Sequence, residues 1–517
     1  VPAGPDPDAP MSAGGLDVRL VPAALTGWAV TAAGIVAPGA GPASVVLAVL
    51  TAAGAVLTRR RAPPGSAAAA AAAVVAAAAV VGLGFGLAVA LRVRAVEAHP
   101  LRGEIGATAE VVVTAVESPR PVAGGARVMF RATLVAAEGR ELAGRVIVFA
   151  PARGFVELTA GRPARFRASI GRPQRRDLTV AALTARGKPV LGTAAWHQRV
   201  AQRVRADTAA AARAVLPADQ AALLPALVLG DTTAVPPTTT AAFRTAGLTH
   251  LTAVSGANVT IVCGAVLLAA GALGPRLAAG LAALALVAFV TVVQPSPSVL
   301  RAALMGAIAL LAIVTHRRRQ ALPALAASVL MLLIVAPELA VDVGFALSVV
   351  ATAALILLAP RWSARWVARG WPKPVADALS VALAAQLVTA PLVAAISGQF
   401  SVVAVAANVA VAPVIPVITV VGTAAATLAA GWPFGAELLI RFAGPALWWL
   451  LGVTDAAAAV PGAAVTLPHG FAGAALAAVL GAAALAVVRW RRARWLWWPA
   501  AGVTLTVAAW TVAGALR

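Results

Sequence analysis

The chain has 517 residues, of which 61% are hydrophobic and only 12% charged, whereas a soluble globular chain carries roughly one quarter charged residues. That balance excludes an ordinary soluble domain and points to an integral membrane protein. The formal net charge is +22, and the single cysteine, Cys263, excludes an intramolecular disulfide and a cysteine metal cluster.

Residues 1–19 read as a disordered polar lead. Three apolar runs follow, at about 20–38, 42–58 and 66–92, each near the length of roughly 20 residues that crosses a hydrocarbon core as a helix. The first lacks a basic n-region and a small-residue cleavage site, so it reads as retained rather than as a signal peptide. The third opens on seven alanines, Ala67 to Ala73, and is the least apolar of the three. Arg59, Arg60 and Arg61 stand between the second and third runs. By the positive-inside rule they place the N-terminus in the cytoplasm and the segment after residue 92 outside.

From about residue 101 to 195 the pattern changes to five β-branched runs, "EVVVTAV", "ARVMFRATLVAA", "GRVIVFAP", "ARFRASI" and "LTVAALT", separated by turn signals. Five strands in so short a segment predict a small OB-like β-barrel. The segment holds 14 Arg and Lys188 against seven acidic residues, a balance that suits single-stranded nucleic acid or simply a solvated surface. Candidate DNA ligands are Arg127, Arg131, Arg165, Arg167, Arg175 and Arg176. Arg165 and Arg167 share one strand face, with Phe166 on the other. Stacking partners are few, since only Phe130, Phe149, Phe155 and Phe166 are present and most are expected in the core.

An amphipathic, Arg-bearing stretch covers about 197–216. Apolar runs then recur near 249–273, 276–293, 297–315, 321–338, 341–359, 376–397, 402–430, 436–459, 470–488 and 497–514. The fold class expected is therefore a polytopic α-helical membrane protein of about 13 spans, with three N-terminal helices (20–92), the extracytoplasmic barrel (101–195) and a transmembrane channel domain (218–514). With this arrangement "HRRR" (316–319), "RWSARWVARGWPK" (361–373) and "RWRRAR" (489–494) all fall inside. Seven tryptophans border the last two, where indole favours headgroups.

Ionisable residues inside spans are costly and mark function by default. Arg301, Asp342, Arg441 and Asp455 qualify, with Arg244 and His250 nearer a mouth. Arg301 and Asp342 stand at similar depth and are expected to interact. Thr252, Ser255 and Asn258 are three apart and would form a polar ridge on a helix start, which serves helix packing or a hydrophilic lining equally well. Pro413 and Pro416 lie inside one apolar run and predict a broken helix. Catalytic signals are missing: the only Gly-Lys is followed by Pro189, so there is no phosphate-binding loop, and no G-x-S-x-G elbow occurs.

The stretch "LVLGDTTAVPPTTTAAFRTAGLTHLTAVSGANV" (227–259) resembles the signature of the ComEC family, the inner-membrane channel of bacterial DNA uptake. The matching positions are Gly230, Asp231, Phe243, Arg244, Gly247, Leu248, His250, Leu251, Ser255 and Gly256. "PSVLRAALM" (297–305), "DVGFALSVVA" (342–351) and "QFSVVAVAANVAVAPVIP" (399–416), the last with Asn408 and Pro413, follow in the family's order. The resemblance implies a channel passing single-stranded DNA across the bacterial cytoplasmic membrane, without a cofactor. It implies as partners membrane lipid, an external DNA receptor protein and a cytoplasmic helicase-like ATPase, and leaves a homo-oligomer open. Two departures stand out. Many members read Ser-Gly-Leu-His where this chain has Ala257 and Asn258, and many end in a metallo-β-lactamase-like nuclease domain. The five histidines here, His99, His197, His250, His316 and His469, include no His-x-His pair. The chain is thus expected to be no enzyme, with a nuclease supplied in trans. The alternative is a transporter of a lipid-linked or small anionic substrate, with Arg244 and Arg301 as anion ligands; a third is an assembly scaffold.

Overall fold

The computed structural model describes residues 17–37, 40–63, 66–122, 125–252, 254–293, 296–315 and 320–489. The apolar run 497–514, the basic loop 316–319, residues 490–494 of the last basic run and most of the N-terminal lead lie outside the described residues.

Three helices come first, α1 (Val21–Val36), α2 (Ala40–Arg61) and α3 (Ala67–Glu97). Poly-alanine propagates a helix well, and Ser66 starts α3 by accepting a hydrogen bond from the Ala69 amide at 3.2 Å. A single turn, α4 (Pro100–Gly103), leads into the barrel: β1 (Thr108–Ala115), β2 (Arg120–Pro121), β3 (Arg127–Ala137), β4 (Arg140–Pro151), the turn α5 (Ala152–Phe155), β5 (Pro163–Gly171) and β6 (Ala181–Leu191).

Barrel closure is visible in the pairing. β1 is antiparallel to both β3 and β5, β3 to β4, and β5 to β6, while β4 runs parallel to β6. The five long strands form a cycle and leave no free edge among themselves. Inside it Phe155 sits edge-on to Phe166 at 5.2 Å and 6.3 Å from Phe130, and all three are buried. Phe149 alone of the barrel's phenylalanines reaches the outer face, half-buried on β4.

The helical domain follows as α6 (Trp196–Val215), α7 (Ala218–Leu229), α8 (Pro237–Thr245), α9 (Gly256–Ala269), α10 (Pro275–Val293), α11 (Pro297–Val314), α12 (Ala321–Val335), α13 (Val343–Leu357), α14 (Ala359–Val367) and α15 (Lys373–Ser397). A short strand, β7 (Gln399–Ser401), precedes α16 (Ala404–Val411), α17 (Val414–Ala429) and α18 (Pro433–Ala458). β8 (Ala464–Thr466) pairs back onto β7 before α19 (Phe471–Arg489).

Among the described residues six helices are long and apolar enough to cross a membrane, and α16 with α17, bent by 53°, would make a seventh. The protein is a multi-pass membrane protein, but helix length supports fewer spans than the thirteen expected. Apolar run length overcounts because the chain uses part of each run for turns. The run 249–273 contributes only 14 helical residues as α9, about 21 Å at 1.5 Å per residue, against a hydrocarbon core of about 30 Å. α1, α7 and α12 are likewise short apolar helices.

The barrel is docked on one end of this domain. Arg131 of β3 pairs with Asp342 at 3.6 Å, and Arg145 of β4 pairs with Glu338 in the 3-10 turn Pro337–Val341. Arg176, in the β5–β6 loop, donates to the Val36 carbonyl at 3.0 Å, and the Trp28 indole of α1 donates to the Ala340 carbonyl at 2.8 Å. These contacts gather the C-terminal ends of α1 and α12 and the N-terminal end of α13 under the barrel. Antiparallel geometry then carries Arg59–Arg61 of α2 and Arg361 and Arg365 of α14 to the opposite end.

Candidate functional site: the polar entrance of the helical domain

The stretch 227–259 links α7, α8 and the start of α9, and most of its residues are scaffold. α7 stops at Gly230, whose φ of +73° is the left-handed conformation that favours glycine. Asp231 follows with a local turn, its Oδ1 accepting from the Thr233 amide at 3.1 Å and hydroxyl at 2.5 Å. Phe243 and Leu248 are fully buried, and the Leu248 amide donates to the Phe243 carbonyl at 2.8 Å, wrapping the end of α8. Gly247 has φ of +72° and faces Ala404, so closely that a Cβ would collide with the alanine side chain. The Ser401 hydroxyl completes the seam by donating to the Thr245 carbonyl at 2.7 Å.

The polar ridge expected from Thr252, Ser255 and Asn258 does not form on a helix. α9 begins only at Gly256, after Ser255 in extended conformation, so Thr252 precedes the helix. Asn258 is buried and joins two helices: its Nδ2 donates to the Leu227 carbonyl of α7 at 3.0 Å, and its Oδ1 accepts from the Ser255 hydroxyl at 3.2 Å. Thr252 donates to the Thr249 carbonyl at 2.9 Å. Packing, not lining, accounts for Asn258.

Arg244 and His250 are the exposed members of the motif. His250 sits in the 3-10 turn Thr249–Leu251 ahead of α9, with its side chain at the surface.

Arg301 is the unusual group. It is buried on α11, next to Gly256, where a Cβ would stand 3.1 Å from its Nη2. Its Nε donates to the Ser348 hydroxyl of α13 at 2.9 Å and its Nη1 to the Met305 sulfur at 3.1 Å. No carboxylate pairs with it among the described residues. No direct bond to Asp342 forms among the described residues: Asp342 caps α13 by accepting from the Phe345 amide at 2.8 Å and faces the barrel's Arg131. Arg301 instead reaches α13 six residues further on, at Ser348.

A further buried guanidinium, Arg205 of α6, escaped the sequence reading. Its Nη1 donates to the Val292 carbonyl of α10 at 2.8 Å, and its Nη2 has no hydrogen-bond partner among the described residues. Burial lowers its pKa and the neighbouring Asp231 opposes that. The signal available was one arginine on the apolar side of an otherwise amphipathic helix. Arg441 and Asp455 stand exposed on α18, away from this cluster. Asn408 donates to the Ala404 carbonyl of its own helix at 2.8 Å, and the break between α16 and α17 falls at Pro413.

On the barrel, Arg131 and Arg176 are engaged in docking, and Arg165 lies 3.8 Å from Glu110. Arg127, Arg167 and Arg175 are exposed and make no ion pair among the described residues. Arg167 is directly opposite Arg186 on β6, and like charges facing each other across strands repel. Arg186 and Lys188, both exposed, extend this strip; alternation in "LTARGKP" was the clue to them.

A family model described as Competence protein matches residues 227–492, more than half of the chain. No curated protein and no solved structure matches.

Proposed function

Taking as premise that the chain belongs to the ComEC-type competence-protein family, we propose that it is a channel passing single-stranded DNA inward across the bacterial cytoplasmic membrane. The observation that carries this reading is Arg301, a guanidinium buried among spanning helices without a carboxylate, beside the family motif. An uncompensated charge costs about 2.5–3.5 kcal/mol at the centre of a span on insertion scales and less in the second turn of α11, where Arg301 stands. A passing phosphate would offset it.

The remaining parts fit one route. Arginine-rich segments at the end opposite the barrel are cytoplasmic by the positive-inside rule, which sets the barrel and the motif outside. The cyclic strand order, with β4 parallel to β6, suits an OB-type barrel. Its β3–β4 face, a usual nucleic-acid surface in such barrels, is here turned against the helical domain. The β5–β6 strip with Arg167, Arg186 and Lys188 is the face left open to a strand. Arg244, His250 and Arg205 then border the entrance, and the break at Pro413 frees backbone groups beside a path. A DNA receptor outside, a helicase-like ATPase inside and a nuclease in trans complete the proposal.

Binding of a single-stranded oligonucleotide to the full-length protein in detergent tests the substrate. Its log affinity should fall linearly with log salt, with a slope of about −0.7 per neutralised phosphate. Arg167→Glu with Arg186→Glu should flatten that slope, whereas Arg441→Glu should leave it unchanged. An unaltered slope in the double variant removes the strip from the route.

A further inference from the structure

Between α1, α3 and α12 the helical domain carries an apolar cavity of about 310 Å³, within the range of about 300–1,000 Å³ typical of small-molecule sites. Its floor includes Gly84, Phe85 and Ala88 of α3 and Leu333 of α12. It opens sideways rather than into the bundle, because Ile334 on its rim is 64% exposed and a Cβ on Gly84 would meet nothing within 4 Å. In a membrane that opening faces acyl chains.

The groove has a polar end. On α3 its lining runs from Val81 to Arg92, a separation of eleven positions that rises about 16 Å. That is one leaflet's share of a hydrocarbon core of about 30 Å. Arg92 stands at the barrel end, five residues before α3 closes at Glu97. It is exposed and makes no hydrogen bond or ion pair among the described residues. An apolar slot one leaflet deep, headed by an unpaired guanidinium at headgroup level, matches an amphiphile with an acyl chain and a phosphate. Guanidinium takes phosphate through two parallel hydrogen bonds. Free phosphate or a DNA strand would leave the apolar lining unused.

We infer that this groove is a binding site for one phospholipid of the barrel-side leaflet, with an acyl chain along Gly84, Phe85 and Ala88 and the headgroup phosphate on Arg92. The inference stands apart from the DNA reading. A site occupied in this way also seals the seam between the N-terminal helices and α12 next to Pro337, where the barrel docks.

Native mass spectrometry of the full-length protein tests it, after reconstitution in bilayers of phosphatidylglycerol and phosphatidylethanolamine and extraction into mild detergent. Wild type should retain one phospholipid that Gly84→Leu loses, since the added side chain enters the groove from a Cβ that meets nothing within 4 Å. Arg92→Gln, which breaks no contact, should lower the retained fraction by about tenfold, the size expected for one lost charge-assisted hydrogen bond. Gly280→Leu, filling open space on α10, is the control and should change nothing. Equal retention in wild type and Arg92→Gln, or in wild type and a folded Gly84→Leu, means annular lipid only and overturns the site.

Discussion

Replacing Arg301 with alanine should lower DNA uptake by about 10- to 150-fold while the amount of folded protein stays at the wild-type level. The range corresponds to losing one hydrogen bond to a charged group, about 1.5–3 kcal/mol. Protein level is preserved because Arg301 has no carboxylate to orphan. The substitution gives up a bond to Ser348 and a contact with Met305, and it also relieves the cost of a buried charge. Arg301→Lys keeps the charge but not the planar fork, so it should fall between the two. Transformation frequency with quantitative immunoblotting reads both quantities. Normal uptake in Arg301→Ala at normal level removes Arg301 from the path; a matched fall in protein and uptake makes it a packing residue.

The second large effect is expected at the seam between barrel and helices. Arg145→Glu sets two carboxylates against each other where Arg145 now pairs with Glu338, and like charges juxtaposed at an interface cost several kcal/mol. The barrel should lift from its seat. Amide exchange in the turn Pro337–Val341 and the first turn of α13 should then accelerate. Adding Glu338→Arg restores opposite charges and should restore protection. The partner pair, Arg131 with Asp342, is less suited to such an exchange, because Asp342 also caps α13 and its loss costs about 0.5–2 kcal/mol by itself. Unchanged exchange in Arg145→Glu would mean that the other contacts across the seam, Arg131 with Asp342 and Arg176 with the Val36 carbonyl, hold the barrel in place without this pair.

The barrel was largely legible because strand periodicity is local. Alternation in "ARFRASI" placed Phe166 inward and Arg165 and Arg167 outward, as they stand in β5. The last strand was drawn short: "LTVAALT" ends at Thr184, yet β6 runs from Ala181 to Leu191. Span lengths were legible only coarsely. Hydropathy does not distinguish a residue in a spanning helix from one in an apolar turn, so the short α9 and α12 read as full runs. What Asp342 pairs with is a tertiary fact, set by a barrel strand some two hundred positions earlier in the chain. Nothing local at Asp342 or Arg301 distinguishes a pair from two separate contacts. The family motif marked the right region, but its glycines and apolar residues are scaffold; of the charged groups around it Arg244 and Arg301 were legible in the sequence, whereas Arg205 was found only through its packing.

The most direct measurement follows labelled donor DNA in competent cells whose own chromosomal copy has been deleted, with and without this chain supplied. The duplex carries a different label on each strand. The account predicts that with the chain one strand reaches the cytoplasm, single-stranded and protected from added nuclease, and that without it both labels stay outside the cytoplasmic membrane. Entry of a strand in its absence, or no entry despite the chain at normal level in the membrane, would contradict the claim that it is the channel.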